Sequence, residues 1–179
     1  RAIGINNTTN QTVKWSKGTG EDTNLESKSV HSVFFGSSFN VVNQDKALLE
    51  VSRILVPNGW FACMWNHRDL NNNIQQGIEK IITKNISNFD YGLRRQDPSE
   101  TIKSSKLFGE VNKIEESFLW EMSIEDIIIA WKSHATLRRQ SGSEEKFISI
   151  IEEIREFLSS GDDILKIPYT TRIFFSQLI

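Results

Sequence analysis

Cysteine is almost absent from this chain: Cys63 is its single example in 179 residues. An internal disulfide is therefore excluded, and the three histidines show no metal-ligand spacing, so no metal site is expected. Cys63 lies in an apolar segment and reads as a small core residue rather than a nucleophile. Proline is scarce at three and glycine modest at ten, which excludes fibrous and low-complexity classes. No run approaches the ~18 apolar residues that a membrane-spanning helix needs. No basic leader followed by an apolar block is seen, so a cytoplasmic location is expected. Strong charge is missing too. With a formal net charge of −2 the chain lacks the clustered cations that recruit a phosphate backbone, and no nucleic-acid partner is expected. The pairs Arg94-Arg95 and Arg138-Arg139 are too short to change that and read as solvated surface.

What remains is enough for one domain, since 179 residues with 38% apolar content can bury a core. Because it begins with Arg1 on a strand-like segment, residues 2–5, the chain reads as an incomplete polypeptide. Residues 12–15 alternate and predict another strand, residues 17–29 a loop, and residues 30–35 a buried strand rich in β-branched and aromatic side chains. A helix follows, capped by Asn43, with Asp45 in its first turn and Leu48, Val51 and Leu55 on one face. Pro57 and Gly59 stop it, and residues 60–65 form a continuous apolar strand. A strand-helix-strand unit of this kind calls for a parallel sheet.

Further on, Ile74, Ile78, Ile81 and Ile82 have helical spacing, and residues 89–106 are polar and irregular, long enough for a lid. Residues 111–120 predict a strand. Ser123 with Asp126 predicts a helix start, with Ile124, Ile127, Ile128 and Trp131 along one side. Ser141 with Glu144 predicts another, carrying Phe147, Ile151, Ile154 and Leu158 and stopping at Gly161. Residues 167–178 predict a final strand.

Several segments then combine into a pattern. The chain reads Gly18-Thr19-Gly20-Glu21, Ser29-Val30-His31 and Ser38-Phe39-Asn40-Val41. It continues Glu50-Val51-Ser52-Arg53-Ile54-Leu55-Val56-Pro57-Asn58-Gly59 and Trp65-Asn66-His67-Arg68-Asp69, and near its end Ile167-Pro168-Tyr169-Thr170-Thr171-Arg172-Ile173. In this order the segments resemble the class I S-adenosylmethionine-dependent methyltransferases, in the small-molecule, type 11-like group. The resemblance spans residues 13–179 and is weaker beyond about residue 70. It implies an α/β fold: a Rossmann-like, mostly parallel sheet with helices on both faces and an antiparallel C-terminal edge made by residues 111–120 and 167–178. It implies a single domain over residues 1–179, without the family's first strand and glycine-rich loop.

The resemblance also implies roles. Thr19, Gly20 and Glu21 would surround the adenine of S-adenosylmethionine, and Phe35, Gly36 and Ser37 would lie beneath its methionine part, beyond the carboxyl ends of the strands. A small-molecule acceptor would sit between residues 66–69 and the segment 89–106, touched by Asn66, Arg68 and His134. No catalytic residue is named, since methyl transfer works mainly by positioning. Four positions depart from the family: His31 replaces an Asp, Asn40 a His, Asn58 a Gly, and Asn6 the acid that holds the ribose hydroxyls. His31 reads as a core histidine, and Glu50 with Arg53 as a structural i,i+3 pair. Two functional readings result: methyl transfer to a small molecule, or a methyltransferase-like domain serving as an interaction or scaffolding partner. A nucleotide-dependent oxidoreductase has no Gly-x-Gly-x-x-Gly to support it.

Overall fold

The computed structural model describes residues 12–159, 161 and 163–179. Strand β1 (Val30–Gly36) leads through helix α1 (Gln44–Ile54) into the long strand β2 (Leu55–Arg68). Helix α2 (Asn73–Asn85), a 3-10 turn at Gly92–Arg95 and helix α3 (Ser99–Ser104) follow. Strand β3 (Asn112–Ser123), helices α4 (Ile124–Lys132), α5 (Ala135–Ser141) and α6 (Glu144–Leu158), and strand β4 (Ile164–Gln177) complete the order.

The four described strands form one mixed sheet in the order β1-β2-β4-β3. β1 and β2 run parallel, with Phe35 opposite Cys63, as the crossover between them requires. β4 inserts between β2 and β3 and is antiparallel to both, giving the antiparallel C-terminal edge that the resemblance implied. Three helices, rather than a turn, join β3 to β4.

Alternate residues of the strands feed two cores. Phe35, Phe61, Cys63, Trp65 and Phe174 join Leu48 and Val51 of α1 and Ile102 of α3 in one cluster. Leu165 and Ile167 of β4 and Met122 of β3 join α2, α4, α5 and α6 in the other. Because neighbouring strand residues point to opposite faces, Phe174 and Ile167, an odd number of positions apart, belong to opposite sides of the sheet. Helices thus pack on both faces, as the α/β class demands.

Local chemistry sets the element ends. Asn43 accepts the Lys46 N–H and caps α1, as its sequence predicts. Ser123 caps α4 through the Asp126 N–H, and Asp126 also accepts the Ser123 hydroxyl. Asn58, where the resemblance implies a glycine, adopts φ 62°, a left-handed conformation that asparagine tolerates better than most residues.

Some expectations need correction. Residues 12–15 form no strand: Val13 and Trp15 are exposed at 45% and 43%, and no ladder reaches them among the described residues. Their alternation lacks a sheet to pair with. Residues 2–5 lie outside the described residues. β1 is less buried than its composition suggested, with Phe34 at 66% exposure and His31 exposed, so His31 is not a core histidine. Helix α6 is capped by Ser143, which accepts the Lys146 N–H, whereas Ser141 ends α5. The left-handed Gly142 (φ 80°) separates the two helices. Cys63 is fully buried and desolvation pushes its thiol up to about 12, which makes it a packing residue.

Candidate functional site

The carboxyl ends of β1 and β2 open into a cavity of about 440 Å³. Ser37, Asn40 and Val41 come from the segment after β1, and Asn66, His67 and Arg68 from the end of β2. Tyr91 and Arg95 belong to the stretch around the 3-10 turn, Trp131, Ser133 and His134 to the end of α4, and Tyr169 to β4. Such a crevice is where ligands bind to open parallel sheets. Its volume suits a small molecule.

Three of the acceptor-side residues named from sequence, Asn66, Arg68 and His134, meet in this cavity. Each already has work in the protein. Asn66 Oδ1 accepts the Thr171 hydroxyl at 2.8 Å. Arg68 donates to Glu79 at 2.8 Å and to the Tyr91 hydroxyl, and its guanidinium lies 4.7 Å from the centre of the Trp131 ring. Tyr91 in turn donates to Glu79 at 2.7 Å, and burial raises its phenol far above the usual range. That hydroxyl therefore cannot serve as a base at neutral pH. His134 stacks on Trp131 at 5.1 Å and accepts the Leu137 N–H through Nδ1 at 3.1 Å, capping α5. A neutral His134 consequently carries its proton on Nε2.

The six residues named for the cofactor side gather less tightly. Gly20 packs against the Phe35 ring and Val42, so closely that a Cβ on Gly20 would stand 2.8 Å from Val42 Cγ1. Loop and strand end thus form one wall, and glycine is required there by packing. Thr19 closes the loop on itself, its hydroxyl accepting the Asp22 N–H. Glu21 accepts the Asn43 N–H at 2.7 Å at the start of α1, and this bond lowers its pKa. Gly36 faces open space, with nothing within 4 Å of where a Cβ would be. Ser37 beside it holds φ 52° and donates its N–H to the Met64 carbonyl, and of the six it alone lines the cavity. Asn40, where the resemblance implies a histidine, accepts the indole N–H of Trp65 at 2.9 Å.

The sequence does not mark Tyr91, Arg95 or Tyr169 as cavity residues and marks Trp131 mostly as core, on a helix expected to form one wall of the acceptor pocket. Trp131 is both, since it is 6% exposed in the helical cluster and still reaches the cavity wall. Tyr91 and Arg95 sit in the irregular segment, where no periodicity marks a side chain for a task. Only part of that segment covers the cavity. Ile102 is fully buried in the α1-side core instead. Among the described residues, no cluster of three or more His, Cys, Asp or Glu could hold a metal, and no helix is long and apolar enough to cross a membrane.

Residues 2–63 match a family described as a methyltransferase domain. No curated protein matches the chain. Among solved structures, a putative type II methyltransferase from Anaeromyxobacter dehalogenans superposes with a TM-score of 0.53 at 16% identity, over 92% of this chain and 71% of that one. The YcgJ protein from Bacillus subtilis gives 0.52 at 12% identity, over 99% of this chain and 76% of its own. At these identities the likeness is one of fold.

Proposed function

From a chain that matches a methyltransferase domain over residues 2–63 and folds as a class I methyltransferase, we propose methyl transfer to a small-molecule acceptor in the cavity beyond β1 and β2. S-adenosylmethionine, when bound, would supply an electrophilic sulfonium methyl group for an acceptor O, N or C. Thr19, Gly20 and Glu21 would hold the adenine end, and Phe35, Gly36 and Ser37 the methionine end. The described residues fit that role at the strand end, where Gly36 leaves open space next to a cavity-lining Ser37. The position proposed for the ribose contact, Asn6, lies outside the described residues.

The protein's own contribution is positioning. Arg68, locked between Glu79 and Trp131, stiffens the acceptor wall. Asn66, Ser133 and Thr136 offer polar groups to orient an acceptor, while the Trp131–His134 stack narrows the cavity and displaces water from it. The observation that carries this reading is the cavity's place at the carboxyl ends of two parallel strands, with Gly36 open on its cofactor side.

A second reading, a scaffold without cofactor, draws support from two commitments. The Glu21 carboxylate is taken up by the Asn43 N–H, and Asn40 by Trp65. Calorimetric titration of this chain with S-adenosylmethionine separates the two readings. Weak binding is expected, with Kd above about 100 µM, because the glycine loop and the ribose acid are each worth ~1–3 kcal/mol in charged or backbone hydrogen bonds. Gly36→Leu should abolish it. Absence of heat at millimolar concentrations would leave the scaffold reading standing.

A further inference from the structure

The cavity wall carries the fixed positive charge of Arg68 and Arg95. Its lining includes two arginines and two histidines but no Asp or Glu. Glu79, behind the wall, is shared by Arg68 and the Tyr91 hydroxyl. Arg95 is left over. Its guanidinium lies 4.5 Å from the centre of the Tyr91 ring, and among the described residues it forms no ion pair. The nearby Asp97 instead feels Lys113 and Lys103 and accepts from Ser99.

An arginine held against a tyrosine ring loses less freedom when it engages a ligand, and its planar donor fork matches an oxyanion. Arg68 is less suited to this part, because three of its five N–H groups already go to Glu79, Gln75 and Tyr91. We propose that this cavity takes a small molecule bearing an oxyanion, carboxylate or phosphate, and that Arg95 is the residue that binds the anion. The inference rests on the acceptor-site reading above and names its substrate class. It gives the anion contact to Arg95 rather than to Arg68, which the resemblance named only as an acceptor contact.

The test needs no cofactor, so it stands apart from the methyl-transfer reading. Benzoate, phenyl phosphate, neutral benzamide and cationic benzylamine are titrated into the full chain by ligand-observed NMR at low and at high salt. Benzoate, phenyl phosphate or both should bind, more weakly as salt rises, and benzylamine should not. Benzoate alone would identify a carboxylate as the group taken, and phenyl phosphate alone a phosphate. Arg95→Gln should weaken the bound anions by about tenfold or more, and Arg95→Lys by less, because the charge is kept while the fork is lost. Arg95 is exposed, so the melting temperature of either variant should match that of the parent. Equal binding of benzamide, unchanged anion affinity in Arg95→Gln, or no binding by any probe would overturn the proposal. If the anions bind as expected while S-adenosylmethionine does not, the site stands and the transferase reading falls.

Discussion

Glu50 is 8% exposed, with Oε1 accepting both the N–H and the hydroxyl of Thr23 while Oε2 meets Arg53 at 2.7 Å. Arg53 reaches on to the Leu25 carbonyl and the Ser27 hydroxyl. The pair that the sequence marked as structural therefore clamps the preceding loop onto α1. The Arg53 guanidinium, with the Thr23 donors, holds the Glu50 carboxyl at about 2, against an ordinary 4.5. A depressed folded-state value means stability that is present above the unfolded pKa and lost as pH falls from about 4.5 towards 2. After allowance for the half-exposed Arg53, the contribution is about 2 kcal/mol. Urea denaturation at pH 7 should show Glu50→Gln less stable by roughly that amount, and the variant's acid unfolding should lose the steep part between pH 4.5 and 2. An unchanged pH profile would mean that the clamp does not hold the loop. Both residues were visible in the sequence as a helix-surface pair. Their tie to Thr23, 27 positions away in sequence, was not, because local spacing carries no information about which loop lands on a helix.

Among the elements, α2 and α6 show why a helix keeps a costly residue. Gly77 lies inside α2, where glycine is worth about 1 kcal/mol less than alanine. The Phe157 ring of α6 occupies the space its Cβ would need, so the glycine lets the two helices approach. Gly77→Ala should consequently forgo the usual propensity gain of about 1 kcal/mol and lower the thermal midpoint. A midpoint raised by several degrees would show that the ring swings clear into solvent. Helices were the most legible part of the sequence, because the stripes Ile74-Ile78-Ile82 and Phe147-Ile151-Ile154-Leu158 repeat at 3.6-residue spacing. Helix α5 was not legible: its seven residues are too few for periodicity, and its cap is His134, an unusual capping residue. The same limit hid half of the site. Asn66, Arg68 and His134 could be named from the resemblance, whereas Tyr91 and Arg95 owe their place to a loop path that no pattern encodes.

At the scale of the whole molecule, the sheet separates two cores, and β3 gives it a long, exposed margin. β3 forms the outer edge, and ten of its twelve residues, Asn112 to Glu121, are solvent-exposed. Ile114, Phe118, Leu119 and Trp120 lie among them at 51%, 38%, 63% and 50% exposure. The crossover of β1 and β2 was predictable, since a continuous apolar strand must be covered. An edge is harder to read, because polar and apolar residues alternate there without one face being committed to a core. Lys113, Glu115, Glu116 and Glu121 interrupt the apolar residues of this margin, and charges so placed keep an edge strand from adding a neighbour. They act as gatekeepers of colloidal behaviour. Glu121→Val would leave Ser117-Phe118-Leu119-Trp120-Val-Met122 as an uncharged, β-prone run, and would also free Lys166, now 3.4 Å from Glu121. Light scattering from a concentrated solution of that variant should climb over hours while the parent stays clear, and equal clarity would show that the edge is protected by something other than its charges. A strand that contributes little to either core thus decides how crowded a solution of this protein can become before it turns to fibre.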